Sequence, residues 1–185
     1  MMNIRERVTK KVIGIEGDYS DDAMDSGGKT RFGITEAVAR QGGYAGNMNS
    51  LPLDTALALY NILYWKKIKG NSLFECGSEA LAEEVFEQAV NMGVHRAVVH
   101  LQRVLNVLND RQRHYEDIKA DGVMGGRTVS ALCAFANKRG KKGIALLVTY
   151  LNAMQGAFYI ELAERREKDE RFIFGWGVNR IARGA

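Results

Sequence analysis

Apolar residues recur along most of this chain at spacings of three and four, the period of a helix with one buried face. Leu81, Val85, Ala89 and Met92 form one such stripe, and Val98, Leu101, Leu105 and Leu108 form the next. Earlier, Ile4, Val8, Val12 and Ile15 follow the same rule, with Ile13 widening the stripe. Nothing reads as a multi-strand sheet. The pattern predicts a mainly α fold, with helices over 3–16, 35–43, 54–67, 78–92, 95–108, 128–138 and 144–168, and a short one after Gly177. Ser78 is placed to cap its helix and Gly93 to end it. Short strand pieces are expected only around Arg31 to Ile34.

At 185 residues the chain is long enough for a real core in one domain or in one domain with a lobe. The polar connection 109–127, with its Asp121-Gly122 and Gly125-Gly126 turn signals, gives the one soft boundary. It divides a lobe over 1–108 from a smaller helical lobe over 109–185, or lies within a single compact unit. There is no internal repeat.

Charge and composition narrow the function classes only partly. A formal net charge of +4 favours any polyanion, whether nucleic acid, a bacterial wall or anionic lipid. The first residues are charged and lack an apolar run, so no signal peptide is expected. No segment approaches about 20 apolar residues, so no membrane span or stable membrane association is expected either. Cys76 and Cys133 lie far apart in helical contexts; a disulfide between them is one reading, and two buried thiols in a reducing compartment is the blander one.

The residues that carry chemistry cluster between 16 and 35. Glu16 falls near the end of the first helix, where the partial negative charge of the helix terminus disfavours an ionised carboxylate. That placement suits a proton donor. Apolar neighbours and the Asp18 carboxylate both push its pKa up. Asp18, Asp21, Asp22 and Asp25 then follow on a glycine-rich loop, and each could serve as a second acid. A pair of carboxylates is what glycoside hydrolysis requires: one protonates the leaving oxygen, the other steadies the cationic transition state or activates water. Thr35 reads as a helix N-cap whose hydroxyl could also hold a water.

The order Glu16-Gly17-Asp18-Tyr19, then Asp25-Ser26-Gly27-Gly28-Lys29-Thr30-Arg31-Phe32-Gly33-Ile34-Thr35, resembles glycoside hydrolase family 108. This family comprises phage endolysins and related muramidases with a Glu-Gly-Gly-Tyr type motif. Asp18 departs from it by standing where the family has glycine. The Tyr64-Trp65 pair, the run Phe86 to Gly93 and the closing Gly175 to Arg180 are also family-like, with Glu87 where Asp is common. Asp121-Gly122-Val123-Met124-Gly125-Gly126-Arg127-Thr128 is similar to a run in small peptidoglycan-binding segments.

The resemblance implies a lysozyme-like N-acetylmuramidase that cleaves the β-1,4 bond between N-acetylmuramic acid and N-acetylglucosamine. Glu16 would be the acid, Asp25 the second carboxylate and Thr35 an aid to water. Tyr19, Tyr64, Trp65 and Asn91 would contact saccharide, although Tyr64 also fits a core position and Asn91 a helix-end backbone contact. No metal or organic cofactor is implied. The partners would be peptidoglycan strands, with no nucleic acid, for a monomer held in the host cytoplasm until a holin admits it to the periplasm and wall. Two rivals share this frame: a lytic transglycosylase on the same bond, and an inactive wall-binding or secretion-accessory protein.

Other motifs fail on inspection. The first glycine of a phosphate loop ending Gly28-Lys29-Thr30 would fall on Ala23. His95, His100 and His114 with the cysteines lack metal-ligand spacing, and the acids at 18–25 lack the order of a calcium loop. A helix-turn-helix around Ile34 to Gly43 is a minor competitor: its turn would be long, and the basic residues are scattered without a recognition-helix cluster.

Overall fold

The computed structural model describes residues 2–13 and 29–182. Its elements run in the order α1 (Ile4–Ile13), β1 (Thr30–Arg31), β2 (Ile34–Thr35), α2 (Glu36–Gln41), α3 (Leu53–Tyr60), α4 (Gly70–Cys76), α5 (Glu79–Met92), α6 (Val94–Leu108), α7 (Gly126–Arg165) and α8 (Glu170–Trp176). The fold is mainly α, as the helical periodicity predicts. Two two-residue strands form the sheet among the described residues.

α5 is the central helix, in contact with α1, α4, α6 and α7. Its start follows from Ser78, whose hydroxyl accepts from the Leu81 amide at 3.1 Å. Its end follows from Gly93, held at φ 87°, where glycine alone is unstrained. Leu81, Val85, Phe86 and Ala89 on α5 are fully or almost fully buried, as are Val98, Leu101 and Leu105 on α6. The two stripes seen in the sequence are thus two sides of one core.

Several details differ from the sequence reading. The 54–67 segment is an α-helix only to Tyr60, then widens into a π-helical turn, Asn61–Trp65. α4 has no counterpart among the expected helices; it sits between Lys69, at φ 48°, and Gly77. The 44–52 stretch, expected as surface loop, holds the short 3-10 turn Met48–Ser50 and buries Met48 and Leu51. The two helices expected over 128–168 are one stretch, α7, broken at Gly140 with φ 57° and ψ −158°.

α7 also tests the expectation that no segment approaches a membrane span. At 40 residues, with an 18-residue window of mean hydropathy 1.3, it has the length and composition of one. Of that window 33% is buried within the fold; across α7, Leu147, Leu151, Tyr159 and Ala163 are buried, while Leu146, Tyr150 and Ile160 are exposed. Tyr159 packs its ring 5.0 Å from Trp176, which ties α8 to the end of α7.

Cys76 and Cys133 form a disulfide, which corrects the reading of two separate thiols. Their 57-residue separation hides the fact that the end of α4 packs against α7, which sets the two Cα atoms 4.9 Å apart. That distance lies within the range a disulfide spans.

The 109–125 connection is tied down by polar side chains as well as by Ile118 and Met124, which are buried in the core. Asn106 makes two bonds to the Ile118 backbone, donating at 2.7 Å and accepting at 2.9 Å. Asn109 donates to Asp117 at 2.6 Å and accepts from the Gln112 amide at 2.9 Å. These bonds hold Asp110, Arg111 and Gln112, three successive non-glycine residues with positive φ. Gln102 reaches Asp121, Val123 and Thr128 with its amide nitrogen and accepts from the Gly122 amide with its oxygen. The Asp121 to Thr128 run therefore has an internal structural role. Gly122, at φ 72°, also leaves space that a Cβ would take from His95.

Candidate active site

Thr35 is presented by a minimal hairpin. β1 and β2 pair antiparallel, with Thr30 opposite Thr35 and Arg31 opposite Ile34. The two turn residues, Phe32 at φ 52° and Gly33 at φ 71°, are both left-handed, the arrangement that matches strand twist in two-residue hairpins. Glycine takes that conformation freely, but phenylalanine does so only when its surroundings hold it. The surroundings are Tyr60, whose hydroxyl donates to the Phe32 carbonyl at 3.0 Å, and Arg31, whose guanidinium lies 5.1 Å from the Phe32 ring centre. Arg31 also donates to the Asn49 carbonyl.

At the exit of the hairpin, the Thr35 hydroxyl accepts from the Val38 amide at 3.3 Å and caps α2. An oxygen that accepts there still carries its own proton, so the cap leaves a donor free for a water or a sugar. Glu36, the first residue of α2, donates its amide to the Lys29 carbonyl at 2.8 Å, which closes the base of the hairpin.

The aromatic residues behind the hairpin form one packed group. Tyr60 and Tyr64, one helical turn apart, have ring centres 5.8 Å apart, and both meet Phe86 of α5, at 6.1 and 6.5 Å. Burial pushes both tyrosine pKa values up, so both stay neutral phenols. Tyr64 is half-buried and Tyr60 fully so. Trp65 is 3% exposed; its ring packs on Phe86 at 5.7 Å and on Gly70, and its indole N–H donates to Asn71 at 3.0 Å. No ring face is open to a sugar. Trp65 is a core residue here, in place of the stacking platform expected for an aromatic near a helix end.

Asn91 is half-buried on the last turn of α5. Glu16, Tyr19 and Asp25, with the competing Asp18, Asp21 and Asp22, lie outside the described residues. The described frame brackets them: α1 leads up to Ile13, and the hairpin begins at Thr30. Of the site residues read from the sequence, the structure brings the hairpin of Thr35 and the helix of Tyr64 together through the Tyr60 bond.

One carboxyl not singled out in the sequence stands in unusual surroundings. Burial pushes the Glu84 pKa up to about 7, aided by the nearby Glu87 and Glu83 and opposed by a hydrogen bond from Gln88 at 2.8 Å. Gln88 continues to the Leu151 carbonyl at 2.8 Å and to His100 Nδ1 at 3.0 Å. Burial, with Arg103 and Arg96 nearby, pushes His100 down to about 4, so the imidazole is neutral at ordinary pH. The spacing of Glu84 and Gln88 on α5 could have indicated a shared helix face, but not the partners on α6 and α7. Among the described residues, no group of three or more His, Cys, Asp or Glu side chains could hold a metal ion.

Residues 9–93 match the family described as Glycosyl hydrolase 108, and residues 96–181 match the family described as Predicted Peptidoglycan domain. The chain thus carries a glycosyl hydrolase 108 segment followed by a peptidoglycan segment, a combination that supports a peptidoglycan hydrolase. The two matched segments meet at the α5–α6 junction. A search of curated proteins gives no match. Among solved structures, Brucella abortus SagA is similar in fold, with a TM-score of 0.62 and 22% identity over 96% of this chain and 95% of that one.

Proposed function

We propose that the chain is an N-acetylmuramidase, which hydrolyses the β-1,4 bond from N-acetylmuramic acid to N-acetylglucosamine in peptidoglycan. Glu16 gives its proton to the leaving oxygen. Asp25 supports the oxocarbenium-like transition state or directs water onto it. Thr35 uses the hydroxyl proton left free by its capping bond to hold that water, and Tyr19, Tyr64 and Asn91 contact saccharide.

One observation carries the reading. The family 108 match spans Glu16, Asp25 and Thr35 together and runs directly into a peptidoglycan segment. The described structure adds a rigid mount for Thr35, tied to the helix behind it by the Tyr60 bond. Positional control of this kind is what a water-directing group needs.

The Cys76–Cys133 disulfide supports a place of action outside a reducing compartment. We therefore place the working enzyme in the periplasm at the wall, as a monomer of endolysin type, held in the host cytoplasm until a holin opens the membrane. Modest net positive charge helps to hold it on an anionic wall, an effect that weakens with salt.

The test is product analysis on purified peptidoglycan. Hydrolysis leaves a reducing muramic acid end. A 1,6-anhydro end would instead assign the chain to lytic transglycosylases, and intact glycan with retained binding would assign it to wall-binding accessory proteins.

A further inference from the structure

α6 and the second arm of α7 run in opposite directions: Arg96 meets Phe158, and one turn later His100 is linked through Gln88 to Leu151. Between the two helices lies a cavity of about 460 Å³. Its volume is that of a site for a small ligand or a few residues of peptide. Arg96, His100 and Arg103 enter it from α6 at spacings of four and three, and Met154, Phe158 and Glu161 face them from α7 at the same spacings.

The charged groups here are largely uncommitted. The Arg96 guanidinium lies 4.2 Å from the Phe158 ring centre, an arrangement that orients the group and leaves its N–H edge free. Among the described residues Arg103 has no ion pair or hydrogen bond. Glu161 pairs with Arg165 at 3.6 Å across open surface, and such a pair is weak. Seven residues of helix separate Arg96 from Arg103, so their Cα atoms stand about 10 Å apart.

His100 lies between them, and its tautomer follows from its neighbours. The Gln88 nitrogen donates to the Leu151 carbonyl and to Glu84, so the Gln88 oxygen is the atom that faces His100 Nδ1. An amide oxygen only accepts; Nδ1 must therefore carry the hydrogen, and Nε2 keeps its lone pair. The cavity thus offers a donor fork at each end, an acceptor in the middle, a carboxylate on its α7 wall and apolar walls.

A neutral sugar could accept hydrogen bonds here but offers no anionic group for the charge-assisted, bidentate pairing that two guanidiniums make best. The site suits a short acidic peptide, since guanidinium forks match carboxylates. An extended peptide advances about 3.3–3.6 Å per residue, so about three residues span the distance between the arginines. The polymer already assigned to this chain carries such peptides on its muramic acid units, with free carboxylates, an amino group and amide N–H donors.

We infer that the cavity between α6 and α7 is a subsite for the acidic stem peptide of peptidoglycan, built from elements other than those carrying Thr35 and Tyr64. The inference rests on the peptidoglycan reading and deepens it. Carboxylates of the peptide pair with Arg96 and Arg103, an amide N–H donates to His100 Nε2, and the free ammonium sits by Glu161.

The test is calorimetric titration of the full chain with the stem tripeptide L-alanyl-γ-D-glutamyl-meso-diaminopimelate. The same peptide with its carboxylates amidated, and inorganic phosphate, are the comparison ligands. Saturable binding of the free tripeptide alone is expected, weakened tenfold or more in Arg96→Ala and in Arg103→Ala. Both side chains are exposed, so the variants keep the fold; Arg103→Gln, closer in size, should lose binding equally. No saturable binding at millimolar tripeptide, unchanged affinity in the variants, or equal binding of phosphate would each overturn the subsite. Release of reducing ends from stem-free glycan, assayed on the same preparation, separates the two readings. Cleavage without stem binding removes the subsite alone, whereas stem binding without cleavage upholds the subsite and removes the muramidase.

Discussion

The Tyr60 hydroxyl and the Phe32 carbonyl, 28 residues apart, meet at 3.0 Å and fasten the hairpin of Thr35 to the core. The bond holds a non-glycine turn residue at φ 52°. Removing it by Tyr60→Phe keeps the ring and its packing against Tyr64 and Phe86. The stability cost should be about 1 kcal/mol, typical of one hydrogen bond. The effect on glycan cleavage should be larger than that cost implies, because the hairpin loses its fixed position. Chemical denaturation beside a turbidity assay checks this; a stability loss with unchanged activity would detach the hairpin from catalysis.

The disulfide ties α4, within the hydrolase segment, to α7, within the peptidoglycan segment. Closing a loop of this length stabilises by about 4 kcal/mol through the unfolded chain. Replacing both Cys76 and Cys133 with Ser should lower stability by up to that amount. The wild type with reductant should match the double variant. A difference between them would locate the effect in the serines instead of in the bridge.

Trp65→Ala should cost about 3–5 kcal/mol, the usual loss for a buried large aromatic. Trp65→Phe should recover most of that loss and leave the KM for glycan unchanged, because the ring faces Phe86 and Gly70. A raised KM at wild-type stability would return Trp65 to the saccharide site. Urea denaturation and steady-state kinetics on soluble glycan give both quantities.

Glu84 and His100 make opposite contributions to the pH dependence of folding. The folded pKa of Glu84, about 7, lies above its ordinary 4.5, so its stabilisation is full below pH 4.5 and is lost as pH rises to 7. The folded pKa of His100, about 4, lies below its ordinary 6.5, so its stabilisation is full above pH 6.5 and is lost as pH falls to 4. Between pH 4.5 and 6.5 the two offset each other. Relative to wild type, Glu84→Gln should gain stability as pH rises through this window, and His100→Gln should lose it. Each slope is at most about 1.4 kcal/mol per pH unit. Urea midpoints at three pH values measure them, and slopes of the same sign in both variants would contradict the assignment.

What the sequence made legible was local. Ser78 and Gly93 mark the limits of α5 because capping and left-handed termination depend on a few adjacent residues. Thr35 announced α2 for the same reason. The helical stripes on α5 and α6 named most of the core because burial follows periodicity, with Met92 and Leu108 at the helix ends only half-buried. What stayed hidden depends on partners distant in the chain. Trp65 resembles a surface aromatic until Asn71, Gly70 and Phe86 close around it. The cysteines look unrelated until α4 meets α7. The Glu84–Gln88–His100 chain crosses from α5 to α6, and no spacing within either helix encodes it. The resemblance around 16–35 led to the family, while Glu16, Tyr19 and Asp25 rest on that resemblance for their roles.

Among the loop acids, Asp25→Asn should lower cleavage more than Asp21→Asn or Asp22→Asn. Each change keeps shape and removes one charge, so the ranking reads the charge alone. Initial rates on soluble glycan decide it, and equal losses in all three would leave Asp25 without a special role.

The most direct test compares wild type with Glu16→Gln on purified peptidoglycan, scored as reducing muramic acid ends released. The substitution is nearly isosteric, so the melting profile should be unchanged. A general acid contributes about 10²–10⁴-fold to rate, and the variant should lose activity on that scale while still binding the polymer. Wild-type release with near-wild-type release by Glu16→Gln would contradict the account, because another group would then be the proton donor.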